Sequence, residues 1–309
     1  MRLLVTGGAG FIGSTFVRRR LAATDDTIVV LDKLTYAGTL ANLDGVDETR
    51  CRFVRGDIAD GAVVAPLVAE VDAIVSFAAE SHVDRSILDP EAFLRTGVTG
   101  VHVLLEAARA ERDRRGPGGG IRLVQVSTDE VYGPVPAGHS REDDPIRPTS
   151  PYSAAKAAGE LLVRAWHETY GLDVAITRGA NTYGPRQHPE KLIPLFVTNA
   201  LLGEPLPLYG DGMQRRDWLH VDDHADAVGV VLDRGDPGGI YNVPGDGVER
   251  PNREVTAAIL AALGLPWSLV RHVTDRPGHD RRYALDGTRL RALGWAPRVP
   301  FDEIGRAHV

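Results

Sequence analysis

The 309-residue sequence predicts an α/β fold: a doubly wound parallel sheet followed by a smaller, mixed C-terminal lobe. Three observations predict it. Short apolar runs recur at "LLVT" (3–6), "TIVVL" (27–31), "CRFV" (51–54), "AIVSFA" (73–78), "LVQVS" (123–127) and "VAITR" (174–178). Helix-length segments separate them at 11–23, 60–70, 90–113 and 152–170. The strand runs are continuously apolar rather than alternating, which marks a sheet whose two faces are both covered by crossover helices.

After about residue 185 the rhythm loosens and Pro and Gly become frequent. Helices are expected near 190–202, 223–234 and 252–263, and "GIYNV" (239–243) reads as a strand rejoining the sheet edge. "RRGPGGG" (114–120) reads as a surface loop. The division expected is a sheet domain over 1–185 and a lobe over 186–309.

Composition narrows the function. With 43% apolar and 25% charged residues the chain can bury a sizeable core. A net charge of −7 argues against a nucleic-acid partner, since phosphate binding needs a basic field. No apolar run approaches the ~20 residues of a membrane span. The first apolar segment runs straight into glycines, unlike a secretory leader, and with one cysteine, Cys51, the expected compartment is the cytoplasm. Lys33, Lys156 and Lys191 are the chain's three lysines, against thirty-two arginines. Where arginine serves as the default cation, each lysine points to a task that needs a compact or tunable ammonium.

"VTGGAGFIG" (5–13) places Gly7, Gly10 and Gly13 between the first strand and the first helix. Glycines there let the backbone approach a pyrophosphate at a helix N-terminus, and Asp32, ending the second strand, stands where a carboxylate grips a ribose. This is a Rossmann-type dinucleotide site, and Asp32 favours NAD over NADP because a 2′-phosphate would meet its charge, with Lys33 next door pulling slightly the other way. Asp57 in "GDI" (56–58) suits an adenine contact or an ordinary loop acid.

"YSAAK" sets Tyr152 and Lys156 four apart on one helix face, a spacing that chance gives about 0.08 times in this composition. An ammonium beside a phenol favours phenolate, which can take a proton from a sugar hydroxyl while hydride leaves for NAD. "VSTDEVYG" (126–133) ends a buried strand on Thr128 and two adjacent acids, Asp129 and Glu130, at the crevice end of the sheet. Two carboxyls in opposite protonation states suit elimination across adjacent carbons. His220 and His224 in "HVDDH" have the spacing of zinc ligands, but no third ligand cluster accompanies them, so no metal is expected.

The blocks "VTGGAGFIGS", "DKLTYAG", "FAAESHVDRSI", "VSTDEVYG", "PYSAAKAAGELL", "NTYGPRQHPEKLIP", "QRRDWLHVDDHA" and "VTDRPGHDRRYALD" resemble, in order and over nearly the whole chain, those of the dTDP-glucose 4,6-dehydratases. These are extended short-chain dehydrogenase/reductases. Related 4-epimerases and decarboxylases share the glycines and the Tyr-x-x-x-Lys pair but usually lack Asp-Glu after the Thr.

The resemblance implies a tightly bound NAD, recycled in each turnover, and the substrate dTDP-glucose. Tyr152, helped by Lys156, would take the C4 hydroxyl proton, with Thr128 bonded to the C4 oxygen. Glu130 would take the C5 proton, and protonated Asp129 would give one to the departing C6 hydroxyl. It also implies that Phe11, Ile12, Thr35, Ile58, Ala78, Ala79 and Thr96 join the glycines around NAD. Glu80, Ser81, His82 and Arg85 would lie near the sugar and nicotinamide ribose. Asn181, Arg216, Asn252, Arg276 and His279 would serve the diphosphate, and Lys191, Leu192, Pro207 and Tyr209 the thymine side. A homodimer through helices 92–112 and 153–170, packed as a four-helix bundle, is a further implication.

Against the family pattern, Gly97 stands where Asn is common, and Gly179, Ala180, Asn181 and Thr182 replace Cys-Ser-Asn-Asn. The chain also stops at "FDEIGRAHV", before a last aromatic-bearing helix. Two rival functions share these residues: a nucleotide-sugar 4-epimerase or decarboxylase, and a non-catalytic NAD-binding sensor.

Overall fold

The computed structural model describes residues 1–301, so the end of "FDEIGRAHV" beyond Phe301 lies outside the described residues. The chain first lays down β1 (Arg2–Thr6), β2 (Thr27–Asp32), β3 (Cys51–Arg55), β4 (Ala73–Ser76), β5 (Arg122–Thr128) and β6 (Val174–Gly179). The strands β7 (Asn181–Tyr183), β8 (Leu206–Tyr209), β9 (Arg215–His220), β10 (Gly239–Val243), β11 (Glu249–Pro251) and β12 (Val270–Val273) follow. The central sheet has the order β10-β6-β5-β4-β1-β2-β3, with every pair parallel. The "GIYNV" run is therefore the seventh strand, added beside β6.

The strands alternate between two cores. Leu3 and Val5 of β1 face a cluster with Phe16, Val17, Val228 and Val231, from α1 (Phe11–Ala23) and a helix at Val221–Arg234. Leu4 faces the opposite cluster with Leu67, Leu104, Leu105 and Val163. Those come from α2 (Gly61–Ala69) and from helices at Val101–Arg115 and Pro151–Tyr170. Both faces are covered, which is why the strands carry no polar alternation.

The long helix expected over 90–113 runs on from Pro90 to Arg115 but contains a π-helical turn. A short α3 (Val83–Leu88) precedes α4 (Pro90–Leu94), a π-helical turn spans Arg95–Gly100, and α5 (Val101–Arg115) continues. Gly97 and Gly100 explain the turn: a Cβ at Gly100 would lie 2.4 Å from Ile58 Cδ1, and one at Gly97 3.3 Å from Ala155 Cβ. π-turns cluster at functional sites, and this one brings Thr96 to the cavity wall described below. Gly97 is thus a close-packing residue against α6 (Pro151–Tyr170), whose Gly159 meets the Gly97 carbonyl.

The segment after 185 contributes to both layers. α7 (Leu192–Leu202), β8, β12 and α9 (Asn252–Leu263) enclose a third core around Tyr183, Phe196, Trp218 and Ile259. The helix between them, α8 (Val221–Arg234), which the sequence groups with the lobe, instead packs on α1 and the sheet, because its Ala225, Val228 and Val231 form an apolar stripe.

α6 is anchored by a buried network. Ser150 and Ser153 form a capping box with Pro151 at the first helical position. Further along the helix, Glu160 accepts from Arg178 Nη2 at 2.6 Å and Nε at 3.0 Å, with both side chains about 98–99% buried. Arg178 Nη1 also donates to the Tyr132 hydroxyl, which donates to Asn242 Oδ1 at 2.8 Å. The helix carrying Tyr152 and Lys156 is thereby tied to β6, β10 and the turn that follows β5. Glu160→Gln leaves a buried guanidinium without its counter-charge; breaking such a pair costs about 3–5 kcal/mol. We expect urea unfolding to show a loss of that size, and a change under about 1 kcal/mol would remove the network from the account.

Candidate active site

One cavity lies across the C-terminal ends of β1, β2, β4, β5 and β6 and under the lobe, at the point where the strand order reverses. Its first end is built by the glycine turn. Gly7 has φ +68°, and a Cβ there would lie 2.6 Å from the Ala78 nitrogen; a Cβ at Gly13 would lie 2.3 Å from the Gly7 oxygen. The turn therefore presses against the chain leaving β4 and opens α1 toward the cavity. Asp32 is fixed at its rim by two backbone donors, Ala9 N at 3.0 Å and Leu34 N at 2.8 Å. A Cβ-free cradle, a helix N-terminus and an oriented carboxylate fit a dinucleotide.

All of the residues that the sequence reading assigned to cofactor and substrate line this cavity except Arg85. Gly7, Gly10, Phe11, Ile12, Gly13, Asp32, Lys33, Thr35, Asp57, Ile58, Ala78, Ala79 and Thr96 gather at the glycine end. Thr128, Asp129, Glu130, Tyr152 and Lys156 hold the centre, beside Glu80, Ser81 and His82. Asn181, Lys191, Leu192, Pro207, Tyr209, Arg216, Asn252, Arg276 and His279 close the lobe end. Arg85 points elsewhere: its guanidinium stacks on Tyr36 at 3.9 Å and pairs with Glu190.

At the centre, β5 ends at Thr128, and Asp129 and Glu130 occupy the 3₁₀ turn Asp129–Tyr132. Burial, and then the neighbouring Glu130 charge, push the Asp129 carboxyl up to about 8. Burial also raises Glu130, but Lys191, Arg276 and Arg216 all oppose that rise. Two carboxyls that share one desolvated spot ionise in sequence, and the one nearest the cations goes first. The arrangement can supply a base at Glu130 and an acid at Asp129.

The Tyr152 phenol corrects the sequence argument. Burial, then Glu130, raises it well above its ordinary value, while the Thr128 hydroxyl pulls the other way. Lys156 does not offset this, because its ammonium donates to the Val126 carbonyl at 2.6 Å, and burial brings it down to about 8. The tyrosine ring is held edge-on to Phe93 at 6.3 Å.

At the lobe end Arg216 is buried, donates to the Asp280 carbonyl at 2.9 Å and stacks on Tyr283 at 4.4 Å. Its neighbour Arg215 is exposed and pairs with Glu249. Lys191 donates to the Ser81 carbonyl at 2.5 Å, joining lobe to sheet. Tyr209 donates to Asp84 at 3.0 Å, Arg276 pairs with the same carboxylate at 3.3 Å, and His279 bonds Asp275 at 2.6 Å. Several buried polar atoms on the cavity wall have no protein partner: Ser127 Oγ, Asn181 Oδ1, Gln187 Oε1, Trp218 Nε1, His224 Nε2 and Arg276 Nε. Their concentration here marks a surface shaped for a polar ligand.

The sequence reading passed over Asp84, Gln187, Glu190, Trp218 and His224, all of them on the cavity wall. His224 was weighed only as a zinc ligand. Its Nδ1 instead bonds the Thr182 hydroxyl at 2.8 Å, and its ring fills the space over Gly179, where a Cβ would approach Nε2 to 2.8 Å. Gly179 and Thr182 thus accommodate this imidazole. His220 caps α8 by accepting from Asp222 N. Among the described residues no cluster of three His, Cys, Asp or Glu is placed to hold a metal.

The family model described as GDP-mannose 4,6 dehydratase matches residues 4–307. A dTDP-glucose 4,6-dehydratase of Streptomyces niveus is 54% identical over 97% of this chain and 89% of its own length. DesIV, the dTDP-glucose 4,6-dehydratase of Streptomyces venezuelae solved with NAD and TYD bound, is 54% identical with a TM-score of 0.95, covering 100% of this chain and 96% of that one. A UDP-glucose 4-epimerase of Thermus thermophilus in complex with NAD shares the fold at 36% identity and a TM-score of 0.90, covering 100% of this chain and 97% of that one. The chain belongs to the GDP-mannose 4,6 dehydratase family, among its dTDP-glucose 4,6-dehydratases.

Proposed function

We propose that this protein converts dTDP-glucose to dTDP-4-keto-6-deoxyglucose and water for deoxysugar biosynthesis. The observation that carries the reading is the unequal acid pair, Asp129 raised to about 8 beside a Glu130 held among cations. An epimerase needs no such pair, since it only removes and returns hydrogen at C4.

The glycine turn, Asp32 and Thr96 would hold NAD, which would supply a reversible hydride acceptor. Tyr152 takes the C4 hydroxyl proton, with the Thr128 hydroxyl favouring its phenolate and Lys156 held one turn away on the Val126 carbonyl. The ketone formed at C4 acidifies C5–H, and Glu130 takes that proton. Asp129 gives its proton to the C6 oxygen as the C6–O bond breaks and water leaves. Glu130 then returns its proton to C5 while the hydride taken from C4 is restored at C6, so oxidation and reduction cancel. Arg216, Arg276, Asn181, Asn252 and His279 would hold the diphosphate, with Lys191, Leu192, Pro207 and Tyr209 on the base side.

Among the described residues no helix is long and apolar enough to cross a membrane. We read the compartment as cytoplasm, where nucleotide sugars would meet the enzyme, and the assembly as a homodimer. Leu94, Leu161 and Tyr170, on or beside the two helices involved, are large apolar side chains exposed to solvent, which supports that interface. We read 1–185 with α8 and strand 239–243 as the cofactor half and the rest of 186–309 as the sugar-nucleotide half.

Three outcomes test the reading. Given dTDP-glucose, UDP-glucose or GDP-mannose without added cofactor, the protein forms the 4-keto-6-deoxy product fastest from dTDP-glucose; dTDP-galactose as the product would favour an epimerase. Glu130→Gln retains C4 oxidation, seen as reduced-nicotinamide absorbance, but loses elimination by about 10²-fold or more; unchanged product formation would remove Glu130 from the role. Asp129 acts while protonated, so single-turnover elimination is constant at neutral pH and falls as pH rises through about 8. Elimination that instead rises through that range would contradict the acid role, and C4 oxidation, followed separately, isolates any effect of Lys156.

A further inference from the structure

The side chain that left the expected site has its own contacts. Arg85, on α3, lies outside the cavity yet touches both chain segments that frame its cofactor end. Its guanidinium carbon sits 3.9 Å above the Tyr36 ring, and its Nε lies 3.4 Å from Glu190 Oε2. Tyr36 in turn meets His188 edge-on, with centroids 5.6 Å apart at 75°. On one side Thr35, Ala37 and Gly38 line the cavity; on the other, Gln187, His188 and Glu190 do.

Each segment also contains a non-glycine residue held in the left-handed region, Leu34 at φ 56° and Arg186 at φ 70°, and among the described residues there are no others. Such conformations persist only where the surroundings over-determine them. Segment 33–38 starts from the carboxylate of Asp32, and the other runs into Lys191. Arg85 therefore bridges two pinned segments that belong to opposite halves of the molecule.

We propose that Arg85 is a positioning residue, clasping segments 33–38 and 184–190 together over the cofactor and so retaining it between the oxidation and reduction halves of the reaction. The inference rests on the NAD reading given above. A chemistry that borrows hydrogen at C4 and restores it at C6 fails if the carrier leaves midway, and this clasp joins the two segments that frame the cofactor end of the cavity. Its contacts are half-exposed, a stacked cation and one ion pair, so they slow opening by about tenfold rather than sealing the site.

The test compares NAD release from purified holoenzyme, chased with excess labelled NAD, in the wild type and in Arg85→Gln, Arg85→Lys, Tyr36→Leu and the Arg85→Gln/Tyr36→Leu double variant. We expect Arg85→Gln and Tyr36→Leu each to speed release by about tenfold, and the double variant to speed it by clearly less than the product of the two, because both remove the shared stack. Arg85→Lys should recover only part of the loss, since it keeps charge without the planar stack. The KM for dTDP-glucose should stay within about twofold, while reduced nicotinamide appears free in solution during turnover of the variants. Release unchanged in Arg85→Gln would overturn the clasp, as would a raised KM for the sugar nucleotide with normal NAD retention, the signature of a substrate contact. A wild-type protein that holds no NAD would instead overturn the cofactor reading itself.

Discussion

The site depends on one electrostatic constraint: two carboxyls share a buried turn at the end of β5, and three cations act on Glu130 where one acts on Asp129. Burial raises both Asp129 and Glu130. Arg216 favours charge at both, while Lys191 and Arg276 add to it at Glu130 and so separate the two. Those cations come from beyond residue 185, whereas the acids belong to the sheet. The acid–base assignment is therefore a property of the closed pair of halves, which is why the Lys191–Ser81 bond and the Asp84 contacts with Tyr209 and Arg276 matter to the chemistry.

The same logic explains the network beneath. A buried ion pair is weak evidence for stability, since its desolvation opposes its attraction. At Glu160–Arg178 the gain is geometric. The pair fixes α6 against β6, and through Tyr132 it reaches the turn that carries Asp129 and Glu130. The base helix and the acid turn are thus held in one frame, and Lys156 is fixed to the Val126 carbonyl on the strand between them. The glycines serve this closeness: Gly97 and Gly159 let α6 meet the π-turn, and Gly179 makes room for His224.

Much of this was legible in the sequence. The parallel sheet followed from continuous apolar runs, because residues buried on both faces leave no polar period. The glycine turn and Asp32 were readable because the contacts they serve are local. All three lysines that the composition singled out, Lys33, Lys156 and Lys191, line the cavity. What the sequence could not supply was long-range. The π-turn within the 90–113 helix packs on Ile58 and Ala155, far away in the chain. The direction of the Tyr152 shift depends on burial and on Glu130 rather than on the lysine one turn away. Arg85 matched a motif by position, but its direction is set by Tyr36 and Glu190, which no local pattern connects to it.

The most direct test of the central claim is a carboxyl carbon-13 titration of Asp129 and Glu130 in the NAD-loaded protein, assigned with the Asn and Gln variants. The account predicts that Glu130 ionises first and that Asp129 keeps its proton until about pH 8. Both carboxyls titrating together in the ordinary range near 4, or Asp129 ionising ahead of Glu130, would contradict it.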